Sequence, residues 1–169
     1  QFSGNGVLFH SGAEGLPSVM SRMAEDPAGN LWIGGHSGLA RLDRSGLISY
    51  GEMDGLVSPR TFSINEAADG RLFFGQRDFY WTSFDGSRFQ TVRPPMHPNP
   101  TILWSSRFAF LSAAGDLWLL SGEKLYRYFN GTDIKNLASR APDAAYSTQE
   151  GLKANAFIQI FEDSGGDIW

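Results

Sequence analysis

One short apolar pattern returns four times along the chain, each time just behind a glycine. Leu31-Trp32-Ile33, Leu72-Phe73-Phe74 and Leu117-Trp118-Leu119 follow Gly29, Gly70 and Gly115 at the same distance, and Ile168-Trp169 follows Gly166. Successive side chains of an extended chain point to opposite sides. Leu31, Leu72, Leu117 and Ile168 are therefore expected on one face, with Trp32, Phe73, Trp118 and Trp169 on the other. Both faces are large and apolar, so such a strand must be covered on both sides, as in sheets stacked face to face. Met23, Ile64, Ala109 and Ile160 hold matched positions on a strand before the turn, and residues 38–43, 79–84 and 124–129 supply a third. A fourth strand, ending at Tyr50, Val92 or Leu137, completes each unit. The pattern predicts an all-β chain of four-stranded antiparallel units.

The turn glycines Gly29, Gly70, Gly115 and Gly166 stand 41, 45 and 51 residues apart, close to the period of about 40 to 50 of four-stranded propeller blades. A second marker runs in step: Glu14-Gly15-Leu16, Asp54-Gly55-Leu56 and Glu150-Gly151-Leu152. Where its third copy would fall stands the run 94–100, with four prolines, which cannot continue a strand and is expected as a rigid connecting loop. Asp26 and Asp163, three residues before their glycines, are placed to accept backbone N–H bonds that close the turn. The units predicted are a β-propeller fragment: 1–11 as the end of a preceding blade, 12–50, 51–93 and 100–138 as complete blades, and 150–169 as the start of a further one. A propeller closes with about four to eight blades. The raw sheet edges are accordingly expected to be covered by the remaining blades of a parent propeller or by self-association.

The first unit carries Asp26, Gly29, Asn30, Leu31, Trp32, Ile33, Gly34, Gly38, Leu39, Arg41 and Asp43. With the Gly-Leu marker ahead of it, this run resembles the two-component regulator propeller repeat. The second unit departs at Phe73, where the repeat has tryptophan, and the third at Leu120, where it closes with glycine. The resemblance implies the periplasmic or extracellular sensing part of a bacterial signalling protein of the histidine kinase type, with a membrane span and an output module elsewhere in the parent. On that reading the chain senses a ligand or partner and is not itself an enzyme.

Charge and composition narrow the chemistry. The formal charge is −4, with 14 Lys plus Arg against 18 Asp plus Glu and no basic cluster, which argues against nucleic acid and against anionic membrane surfaces. No apolar run approaches the roughly eighteen residues of a membrane span, so no direct membrane insertion is expected. The absence of cysteine removes disulfides, thiolate zinc sites and a cysteine nucleophile. His10, His36 and His97 lie in separate segments without metal-ligand spacing, and no nucleophile elbow, phosphate loop or dinucleotide fingerprint occurs. No catalytic residue, metal or cofactor is therefore expected. Glu25, Glu66 and Glu162 recur at one repeat position, as a structural role requires, and Asn130-Gly131-Thr132 is read as a turn.

Ligand chemistry is expected where the loops between second and third strands meet the connections between units, because propellers gather these loops on one face. His36 and Arg77 lie in such loops. The unit-opening positions are Ser18, Pro59, Trp104 and Asn155, flanked by Arg60 and Arg107. The arginines suit an acidic group and Trp104 a sugar ring. Ser18, His36, Arg60, Arg77, Trp104, Arg107 and Asn155 are thus the candidate contacts for a small molecule or oligosaccharide. Two other classes are weighed: a secreted propeller enzyme, lyase or glycosidase-like, with His36 or Glu123 at the channel mouth, and a non-catalytic carbohydrate- or protein-binding scaffold.

Overall fold

The structure is a computed structural model and describes residues 2–3, 6–7, 9–96, 108–121, 124–153 and 159–169. Near the start, β1 (Phe2–Ser3) and β2 (Gly6–Val7) pair antiparallel with each other, where a single closing strand was expected. Three four-stranded antiparallel sheets follow, each with its strands in chain order. The first holds β3 (Arg22–Glu25), β4 (Leu31–Gly35), β5 (Gly38–Asp43) and β6 (Gly46–Tyr50). The second holds β7 (Thr61–Glu66), β8 (Leu72–Gln76), β9 (Tyr80–Phe84) and β10 (Phe89–Val92). The third holds β11 (Ala109–Leu111), β12 (Leu117–Ser121), β13 (Lys124–Tyr128) and β14 (Ala144–Tyr146). Beyond them, Glu162 bridges Ile168 across the turn at Gly166. The architecture is all-β, built from repeated four-stranded sheets in a propeller-like arrangement.

Tyr50 and Val92 end their fourth strands as expected, but Leu137 does not. Ile134–Leu137 is one helical turn, α1, capped by Asp133, whose carboxylate accepts the Asn136 N–H at 3.3 Å. Ile134 and Leu137 are both buried, and the turn lies against β9 and β10 of the second sheet. The strand itself comes later, at Ala144–Tyr146, paired with β13 through Tyr126 and Ala145. Two apolar residues three apart fit the end of a strand or a helical turn equally well, so the short window did not separate them.

Alternation holds through the stack. Trp32 of the first sheet and Leu72 of the second meet in one buried cluster with Leu39, Phe74 and Phe84. Phe73 points the other way, into the larger cluster with Trp81, Phe108, Leu117 and Tyr128. Trp32 and Phe73 thus face the next sheet, and Leu72 and Leu117 face back. The first strands are neighbours in space, β7 against β3 and β4, and β11 against β7 and β8. They form the inner edge from which the sheets fan out. This explains the closing glycine of the repeat: a Cβ on Gly75 would stand 2.4 Å from Ser63 Oγ and 2.6 Å from Ala109 Cβ, where the third sheet presses in. No helix among the described residues is long and apolar enough to cross a membrane.

Candidate functional site

Each sheet has two ends, and the residues at one of them are committed to structure. At the first turn, Asp26 Oδ1 accepts the N–H groups of Ala28 (3.0 Å) and Asn30 (2.9 Å), while Oδ2 accepts Asn30 Nδ2 (3.0 Å) and Trp32 Nε1 (2.8 Å). Asp163 repeats the arrangement with Gly165, Asp167 and Trp169 Nε1, the last at 2.8 Å. Burial works against ionisation of Asp26, but the bonds from Trp32, Asn30 and Ala28 outweigh it and hold the carboxyl below its ordinary value. In the second unit Ala67 and Phe73 remove acceptor and indole N–H together. In the third, Ser112 Oγ accepts the Asp116 N–H at 3.0 Å, and the buried Trp118 Nε1 has no partner among the described residues. The sequence reading assigned the aspartate to the backbone and missed the indole. The signal was present, since Asp and Trp occur together in units one and four and are lost together in unit two.

The second marker is also structural. Glu14, Asp54 and Glu150 close one-turn 3-10 helices by accepting the N–H groups of Ser11 (2.8 Å), Gly51 (2.8 Å) and Ser147 (2.7 Å). Glu162 takes the Ala113 N–H at 2.6 Å and so ties the last unit to the third sheet.

The opposite end brings three of the predicted contacts together. His36 sits between β4 and β5, Ser18 in the segment leading to β3, and Arg60 just before β7. The His36 N–H donates to Ser18 O at 2.8 Å, and the Ser18 N–H donates to Ser37 Oγ at 2.8 Å. Across the boundary between the first and second sheets, an Arg60 guanidinium nitrogen lies 2.8 Å from His36 Nδ1. Arg60 lies 5.7 Å from the centroid of the Phe62 ring, and His36 meets that ring edge-on at 6.4 Å. Arg77 joins through its backbone, its N–H donating to Arg60 O at 2.8 Å, while its exposed side chain lies 3.8 Å from Asp78. Trp104, Arg107 and Asn155, with His97 and Glu123, lie outside the described residues.

Backbone strain collects at this end. Of the four described non-glycine residues at positive φ, Val19 (45°), Asp78 (61°) and Phe79 (64°) belong to these loops. A left-handed β-branched residue such as Val19 is costly and persists only where surrounding contacts impose it. A groove of about 250 Å³ runs along the inner strands, lined by Arg22, Ser63, Asn65, Glu66 and Phe110 among others. At the turn end, Asp26, Arg41, Asp69, Arg71 and Asp85 border a cavity of about 420 Å³ between the first two sheets. Among the described residues no group of three or more His, Asp or Glu side chains is placed to hold a metal ion.

Residues 15–37 match the Two component regulator propeller family. Compared with curated proteins, the sequence finds no match. Among solved structures, the chain is similar to the extracellular domain of a hybrid two component system from B. thetaiotaomicron, at 21% identity and a TM-score of 0.68. A second such domain from the same organism gives 14% identity and 0.65 over 96% of this chain. The chain covers 22% of each of those two proteins, so it spans about a fifth of their length. A catalytically inactive virginiamycin B lyase from Staphylococcus aureus, solved with quinupristin, matches at 14% identity and a TM-score of 0.61, over 89% of this chain and 47% of that one. These likenesses show a shared fold of propeller-like stacked sheets, and the two component system domains among the matched structures are extracellular.

Proposed function

We propose that this chain is a section of a larger propeller that binds a ligand on its loop face, in the extracytoplasmic sensing region of a two-component signalling protein. The observation that carries this reading is the meeting of Ser18, His36 and Arg60 across the boundary of two sheets. His36 follows β4 and Arg60 precedes β7, so a ligand gripping both changes how the first two sheets sit together. Such a change in packing is the kind of difference between states that an output module reads. The match over residues 15–37 and the likeness to extracellular sensor domains support the extracytoplasmic placement. Binding without turnover fits the described residues of this face, among which His36 pairs with an arginine and has no carboxylate to orient it as a base. The lyase likeness, at 14% identity, speaks to fold alone.

A thermal-shift panel of neutral and acidic oligosaccharides tests the reading. A ligand that binds only the folded chain raises its melting temperature with concentration. At least one panel member is expected to do so for the wild type and to lose the effect in Arg60→Ala. A panel with no active member, or a shift of equal size in both proteins, would overturn the assignment of this face.

A further inference from the structure

Resting on that reading of the loop face, we infer that Arg60, positioned by His36, is a receptor for a carboxylate group of the ligand. Five arginines pair with a carboxylate, Arg41 with Asp43, Arg71 with Asp69, Arg77 with Asp78, Arg127 with Asp116 and Arg140 with Asp143. Arg44, Arg88 and Arg93, which have no ion pair among the described residues, are exposed, whereas Arg60 is half-buried. Arg60 has no carboxylate partner among the described residues. Its hydrogen-bond partner is His36 Nδ1 at 2.8 Å. A guanidinium can only donate, so Nδ1 is the acceptor and the imidazole proton sits on Nε2. One of five N–H donors is thereby used, and the rest of the planar fork keeps the geometry that matches a carboxylate with two parallel bonds.

The fork is also held in place. Arg60 is half-buried and lies over Phe62, which packs edge-on against Phe108 with ring centroids 5.6 Å apart. The backbone on either side of the pair is fixed by the bonds His36 N–H to Ser18 O and Arg77 N–H to Arg60 O. A partly buried cation without a counter-ion among the described residues gains from the arrival of an anion. The local charge agrees: the chain is formally −4, yet residues 17–21, 36–37, 58–60 and 76–79 hold the cations Arg60 and Arg77 against the single acid Asp78. A carboxylate reaches such a site from an acidic sugar or from a small organic acid.

Calorimetric titration of the whole chain with D-glucuronate, D-glucose and acetate separates these cases. Glucuronate is expected to bind more than about tenfold tighter than glucose, and Arg60→Gln to lose about tenfold or more of that affinity. Arg60→Lys should fall between, because it keeps the charge and loses the fork. His36→Ala should weaken glucuronate several-fold and His36→Gln, which restores an acceptor for Arg60, should recover most of it; equal loss in both would overturn the positioning role. Acetate binding as tightly as glucuronate supports the carboxylate receptor and assigns it to small acids. Glucose binding as tightly as glucuronate, with Arg60→Gln still weakening it, overturns the carboxylate assignment and leaves the loop-face reading standing. No heat from either acid overturns the inference, while the oligosaccharide panel judges the face independently. If Arg60→Gln fails to fold, as its melting curve would reveal, the glucuronate-to-glucose contrast in the wild type and the Arg60→Lys titration decide the matter.

Discussion

Gly131→Ala is expected to lower the stability of the chain by about 3 kcal/mol, the cost of overpacking a site that cannot relax. A Cβ on Gly131 would stand 2.3 Å from Leu117 Cβ, 2.5 Å from Leu117 N and 2.9 Å from Leu117 Cα, so the obstacle is largely backbone. The segment cannot retreat cheaply, because the Gly131 N–H donates to Gly115 O at 2.7 Å and Gly131 O accepts Trp81 Nε1 at 3.0 Å. Moving Gly131 off Leu117 breaks the bond through which the buried Trp81 ties the second sheet to the third. Gly86→Ala is the control: its φ is 99° and nothing crowds it, so only the conformational cost of about 1 kcal/mol applies. Urea unfolding should show a far lower midpoint for Gly131→Ala than for Gly86→Ala, and equal midpoints would refute the steric account.

The second large effect is at Asp26. Asp26→Ala is expected to cost about 2 kcal/mol, since it removes the acceptor of two backbone N–H groups, one amide and one indole. The partly exposed backbone donors can turn to water, which keeps the figure below the sum of four bonds. Trp32 is only 1% exposed, so the variant removes the carboxylate partner of a buried indole N–H, as Trp118 Nε1 lacks one among the described residues of the third unit. The effect should fade in acid. Asp26 is held below its ordinary value when folded, so its contribution is complete above the unfolded carboxylate pKa of about 4 and is lost as the pH falls through the lower folded value. Unfolding free energies of wild type and Asp26→Ala should therefore differ most near pH 6 and draw together as the pH falls below the unfolded carboxylate value. A difference that persists unchanged into acid would show that the carboxylate charge is not what holds the turn.

Much of this fold could be read from period alone. Alternation put Trp32 and Leu72 into one shared core and Phe73 into the next, because a strand covered on both sides has no freedom in which face each residue takes. Leu137 escaped the same reasoning, since the third unit lengthens between β13 and β14 and fills the gap with a helical turn whose two buried residues carry no strand period. The loop face was legible only as a location. That His36 and Ser18 share it follows from the meander, but the bond between His36 and Arg60, 24 residues apart, depends on how two sheets pack, which no local pattern encodes. The strain at Val19 was likewise invisible, a positive φ of 45° on a β-branched residue that disfavours it.

Amide mapping by NMR, with a 15N-labelled chain titrated by a ligand that raises its melting temperature, tests the central claim most directly. Binding at the loop face should move the amide signals of Ser18, His36, Ser37, Arg60 and Arg77, which are joined there by backbone and side-chain hydrogen bonds. Shifts gathered instead at Asp26, Asp69 and Asp85, around the cavity at the turn end of the first two sheets, would contradict it and move the binding site to the other end of the stack.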